Sequence, residues 1–150
     1  MSANLTIPKR LLMSASAHRS RAPIISDELG RSLTFERLII GSVVLARQIE
    51  SMTNRHHVGC LLPNSVTEVV SIFGCHFAHK AAAILNYTFP LQTLIRCCER
   101  AHIDVLLTSH QFLKKSQLTD LPDLLAERGI RTLYLEDVAK RISRVAKLSG

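Results

Sequence analysis

The chain has no tryptophan and few other aromatics: Tyr87, Tyr134 and five phenylalanines in 150 residues. Phe73 and Phe77 already fall in a helical apolar stripe, so a base-stacking platform for single-stranded nucleic acid is poorly supplied. No apolar run approaches the roughly 20 residues that cross a bilayer. The opening MSANLTIPKRLLMSASAHRSRAP lacks the long apolar core of a signal peptide; its basic, Ser-rich character fits a linker better than a transit peptide. Cys60, Cys75, Cys97 and Cys98 form no CxxC pair, and buried reduced thiols in a reducing compartment account for them best. The sequons at Asn4 and Asn86 then never meet glycosylation machinery, and a cytosolic location is expected. With only six glycines the chain contains neither GxGxxG nor GxxxxGK[ST], and it has no GxSxG elbow and no HExxH.

What is present suits one globular domain: 47% hydrophobic and 21% charged residues. The net charge of +7 and pI near 9.7 admit nucleic acid, anionic lipid or a nucleotide as partner without choosing among them.

After a basic arm to about Pro23, PIISDELGRSLTF predicts a hairpin, with Gly30 free to take positive φ. FERLIIGSVVLARQIESM follows as an amphipathic helix with Phe35, Leu38, Leu45, Ile49 and Met52 near one face. VGCLL, from Val58, is too short and too uniformly apolar for a surface strand and fits the centre of a parallel sheet. Ser65 and Glu68 then form a capping box, followed by Val66, Val69, Val70, Phe73 and Phe77 as a core stripe. AAAIL, 81–85, is expected as a further buried strand. Pro90 opens a helix, DVLLTS (104–109) is a strand, a helical region breaks near Pro122, and IRTLYL is the last strand. VAKRISRVAKL ends the chain as a basic amphipathic helix with Val138, Ile142, Val145 and Leu148 on its apolar side. This alternation predicts an α/β fold, a mostly parallel sheet with helices on both faces.

The residues that could carry chemistry are few. Pro63, Asn64 and Ser65 form a strand–turn–helix corner where a phosphate could sit, but the turn lacks the glycines of a close cradle, and capping explains Ser65. Cys75, His76 and His79 are metal-ligand types without a fourth ligand, and Cys75 adjoins the core stripe. Nothing places a base beside Cys97 or Cys98. Lys140, Arg141, Arg144 and Lys147 share one helix with no acid nearby; a solvated face is the plain account and an anionic membrane surface the alternative. On these residues alone, no catalytic, cofactor-binding or metal-binding position is assigned.

Several segments carry a resemblance. APIISDELGRSLTFERLIIGSVVLARQI, VGCLLPNSVTEVVSIFGCHFAHKAAAILNYT and LIRCCERAHIDVLLTS stand in the order found at the start of the AMP-forming acyl-activating enzymes, which include acyl-CoA synthetases, peptide-synthetase adenylation domains and firefly luciferase. The stretch from Pro23 to Leu135 resembles their opening hairpin and helix and the strand–Pro-Asn–helix–strand unit. LNYT and GIRTLYLEDVAKRI resemble most the synthetase half of the bifunctional 2-acylglycerophosphoethanolamine acyltransferase/acyl-ACP synthetase. One departure is Ala78-His79, where the family usually has Ala-Gly.

The resemblance implies 1–22 as linker and 23–150 as part of the N-terminal subdomain of such an enzyme. The parent would be an AMP-forming ligase that joins a fatty acid to ATP, with Mg²⁺, as acyl-AMP, then passes the acyl group to acyl carrier protein or coenzyme A in phospholipid acyl-chain recycling. It would be cytoplasmic, or peripheral at the inner membrane. The family's phosphate loop, nucleotide contacts and catalytic lysine lie beyond the matching stretch, so none is carried over and this chain alone is expected to be inactive. Self-association through faces meant for the rest of the domain is expected, and nucleic acid is not. The alternative is a stand-alone non-catalytic module using its basic faces on anionic lipid or nucleic acid.

Overall fold

The computed structural model describes residues 5–18 and 20–148; the side chains of Ile142 and of residues 144–148 lie outside the described residues. Helix α1 (Ile7–Ala17) comes first, inside the stretch expected to be linker. Thr6 caps it, Pro8 sits in its first turn where no N–H is missed, and Leu11 is its buried residue. It packs on two later helices.

Strands β1 (Ile25–Ser26) and β2 (Ser32–Leu33) form the expected antiparallel hairpin. Gly30 takes φ +74° to close it. The helix predicted over FERLIIGSVVLARQIESM is α2 (Phe35–Met52), and Thr34 caps it by accepting from Arg37 N–H at 3.2 Å. The order then runs β3 (His57–Cys60), α3 (Val66–Phe77), β4 (Ala81–Ile84), α4 (Leu91–Arg100), β5 (Val105–Thr108), α5 (His110–Lys115), α6 (Leu121–Ala126), β6 (Arg131–Tyr134) and α7 (Leu135–Leu148).

The four longer strands form one parallel sheet in the order β4-β3-β5-β6. Alternation along β5 divides the core. Val105 and Leu107 face Leu45, Ile49, Cys75 and Val138 of α2, α3 and α7. Leu106 faces Leu94, Ile95, Phe112 and Leu125 of α4, α5 and α6. The fold is therefore α/β with helices on both faces.

Two expectations need correction. AAAIL is not a buried strand: β4 is a sheet edge, half-buried, with Ile84 52% exposed and only Leu85 enclosed beyond it. On α3, Val69, Val70, Phe73 and Phe77 are only half-buried, while Ser71, Gly74 and Cys75 are buried. Small residues win because α2 crosses close. A Cβ on Gly74 would lie 2.8 Å from Leu45 Cδ2, and Ser42 Oγ donates to Val70 O at 3.4 Å.

Four helices end alike, with a left-handed residue followed by a bond that spans the last turn. His79 (φ 55°), His102 (φ 53°), Gln117 (φ 58°) and Gly129 (φ 75°) hold these positions. The next residue's N–H closes each motif: Lys80 to Cys75 O, Ile103 to Cys98 O, Leu118 to Leu113 O and Ile130 to Leu125 O, at 2.9–3.0 Å. His79, the family departure, thus does adopt the conformation that glycine would take there.

Candidate functional site

All four parallel strands end on one edge, and on both sides of β3 the departing chains part to opposite faces: α3 to one, α4 and α5 to the other. Such divergence opens a crevice beyond the carboxyl ends of strands, the usual ligand position in open α/β sheets. Between β3 and β5 it is closed: buried Thr108 Oγ1 donates to Leu61 O at 2.8 Å. Between β3 and β4 it stays open. There a cavity of ≈ 510 Å³ lies between the hairpin (Ile25–Glu28), the turn Pro63–Ser65, the first turn of α3 and Tyr87.

That turn is the corner where a phosphate could have sat. Ser65 Oγ accepts from Glu68 N–H at 3.3 Å, as expected of the cap. The reciprocal half is absent: among the described residues no bond returns from Glu68 to Ser65 N–H. Instead Asp27 Oδ2, reaching from the hairpin, accepts from Val66 N–H at 3.4 Å and from Arg31 Nε at 2.9 Å. Burial pushes the Asp27 carboxyl up, but hydrogen bonds from the backbone N–H of Arg31 and Val66 and from the Arg31 guanidinium outweigh it, leaving it below the ordinary aspartate value. Burial pushes Glu68 up. The helix N-terminus is thus already met by the protein's own carboxylate, with Glu28 and Glu68 also lining the cavity. These residues do not fit a triphosphate, whose charge the carboxylates would repel.

Farther along the edge, Glu136 Oε1 at the start of α7 accepts from Ser109 Oγ at 2.7 Å and from Gln111 N–H at 3.3 Å. Burial raises the Glu136 carboxyl, but the Ser109 hydroxyl and nearby backbone N–H groups more than offset this, and the net shift is downward. Ser109 Oγ also accepts from Phe112 N–H at 3.1 Å, so serine and glutamate together cap α5. Next to them His110 stacks on Tyr134 with ring centroids 3.5 Å apart. This is a hydrogen-bonded brace between two helix starts.

The residues singled out from sequence are not gathered into a site. Cys75 is buried, whereas His79 is exposed at the helix end and His76 is half-buried. No group of three or more metal-ligand side chains occurs among the described residues. Burial pushes Cys98 up to about 11, and a hydrogen bond with Cys75, then burial, pushes Cys60 far above the ordinary thiol range, so neither is poised to ionise. On α7 an acid does stand near: Lys140 Nζ lies 3.7 Å from Asp137, one turn before it. Arg141 donates to Gln48 Oε1 of α2 at 2.5 Å. The side chains of Arg144 and Lys147 lie outside the described residues. Asp27, Thr108, Ser109 and Glu136 were not singled out from sequence. An Asp two residues before Leu-Gly, and Ser-His at a strand end, are local turn and cap signals; their long-range partners are set by the fold.

No protein-family model matches the chain. Solved structures do. The Bacillus subtilis O-succinylbenzoate coenzyme A synthetase MenE, in complex with AMP, aligns with 87% of this chain at TM-score 0.68 and 22% identity. IdnL7 aligns with 88% at TM-score 0.72 and 18% identity. VinN, in complex with 3-methylaspartate, aligns with 95% at TM-score 0.75 and 15% identity. The chain shares their fold. It spans 32% of the MenE chain, 25% of IdnL7 and 38% of VinN. No helix among the described residues is long and apolar enough to cross a membrane.

Proposed function

We propose that this chain is the scaffold portion of an AMP-forming acyl-activating ligase, and that the whole protein joins a fatty acid to ATP as acyl-AMP before transfer to the thiol of acyl carrier protein or coenzyme A. The supporting observation is the shared fold over most of this chain but only a part of each neighbour. The MenE neighbour has also been solved with ATP and magnesium and with its acyl-adenylate intermediate. The choice of a fatty acid, of acyl carrier protein and of phospholipid acyl-chain recycling rests on the LNYT and GIRTLYL resemblance. Residues 1–150 supply the β3–β5 platform and its capped turns, and the nucleotide and Mg²⁺ are assigned to residues outside this chain.

Fatty-acid-dependent ATP–pyrophosphate exchange tests this. Residues 1–150 should show none, and the longest product of the reading frame that contains them should show it with long-chain acids and then acylate carrier protein. Exchange by 1–150 above a boiled control would overturn the scaffold role. An extended product inactive on every carboxylic acid offered would overturn the ligase.

A further inference from the structure

Helix α1 leaves most of its apolar side chains in water. Leu11 is buried against the domain, yet Ile7 is 49% exposed, Leu12 44% and Met13 53%, with Leu5 just before the cap at 40%. At 100° per residue, Leu12 and Met13 lie on either side of Lys9 on the half turned away from Leu11. Along this stretch of the sequence the charge has one sign. Residues 1–26 contain Lys9, Arg10, Arg19 and Arg21 and no acid; Asp27 is the first.

We propose that α1 is an interfacial anchor that lays its outward face on an anionic lipid surface. Leucine and methionine beside lysine and arginine are what such a surface takes: side chains that enter the acyl boundary, and long cationic stems whose heads stay at the phosphates. A nucleic acid would use the charge and leave Leu12 and Met13 in water. On the other basic helix, the two sequence-noted cations whose side chains are described already have partners, Lys140 in Asp137 and Arg141 in Gln48. The inference is independent of the ligase proposal, since it is read by binding and not by exchange.

Flotation of residues 1–150 with vesicles of phosphatidylcholine carrying about one-third phosphatidylglycerol tests it. Binding should appear with these vesicles, be weak with phosphatidylcholine alone and fall as salt rises. Lys9→Gln and Arg10→Gln should each weaken it about 5-fold. Leu12→Gln with Met13→Gln should weaken it about 10-fold or more, with circular dichroism unchanged because both positions are exposed. Met13→Trp gives a single tryptophan in a chain that has none. Its emission should shift to the blue on binding and be quenched by brominated lipid. No binding to the anionic vesicles, binding indifferent to the Leu12/Met13 pair, or indole emission of the Met13→Trp variant unmoved by bound lipid would each overturn the proposal. So would a concentration-dependent dimer that the Leu12/Met13 pair abolishes in a chain that ignores vesicles, because a second copy would then be the occupant.

Discussion

At the scale of single residues, the left-handed helix ends stand out, because three of the four are not glycine. A side chain in that conformation costs about 1–2 kcal/mol, while glycine gives back about 0.5–1 kcal/mol in the entropy lost on folding. His79→Gly, His102→Gly and Gln117→Gly should therefore each stabilise the fold by about 0.5–1 kcal/mol, read as a higher urea midpoint at unchanged slope. Gly129→His is the converse and should lose a similar amount. A loss at His79→Gly would mean that the ring makes contacts worth more than the strain. Two carboxylates near the start of α3 differ in sign. Asp27 has a folded pKa below the unfolded value of about 3.9, so its stabilisation is complete above that pH and fades as pH falls through the lower folded value. Glu68 lies above its ordinary value, so the fold loses stability as pH rises through the window between the unfolded value and the raised one. Asp27→Asn should thus lower the melting temperature at pH 7, with the deficit closing below about pH 3.9. Glu68→Gln should raise it slightly at pH 7 and leave it unmoved at pH 3. A drop for Glu68→Gln at neutral pH would show that the Glu68 charge is favourable at the start of α3 despite its burial.

Among elements, the α2–α3 crossing decides the packing of one sheet face, and it turns on Gly74. Alanine there gains about 1 kcal/mol of helix propensity, but its Cβ meets Leu45 Cδ2 at 2.8 Å, Cγ at 3.0 Å and Cβ at 3.2 Å. The last contact lies at the root of the side chain and cannot be relieved by a rotamer. Overpacking costs about 1–3 kcal/mol, so Gly74→Ala should be destabilising by about 1 kcal/mol in chemical denaturation. An unchanged or higher midpoint would mean that the helices slide apart freely. This crossing also marks what the sequence could express. Periodicity placed α2 with its end residues, and the capped start at Ser65 was legible because a cap bonds only three residues away. The buried side of α3 was not legible. Hydrophobicity points to Phe73 and Phe77, whereas the close crossing selects Ser71, Gly74 and Cys75 for size. Helix α1 was missed for a related reason: one buried leucine is too little apolar pattern to separate a packed helix from a linker. The brace of Ser109 and Glu136 joins residues 27 apart in sequence, a pairing that only the strand order creates.

For the whole molecule, the strand order exposes β4, and the short apolar run that promised a central strand is found at the rim. A central and an edge strand can have the same composition; what differs is whether another strand follows beside it, and nothing in residues 81–85 records that. The consequence is physical. Ala81, Ala82 and Ala83 carry no charge, no proline and no bulge to guard the open edge, and Ile84, Tyr87 and Phe89 are 52%, 44% and 43% exposed at its end. An unprotected edge with an apolar rim invites a second strand, and two copies related by a twofold axis would meet there antiparallel. Residues 1–150 should therefore self-associate in sedimentation velocity as concentration rises. Ile84→Lys places a charge on the edge at an exposed position, so it should shift the distribution toward monomer while leaving the urea midpoint nearly unchanged. A wild-type chain that stays monomeric at high concentration would show that the edge is shielded in solution. Self-association indifferent to Ile84→Lys would move the contact to another face, with the exposed side of α1 the next to be tested through Leu12→Gln and Met13→Gln.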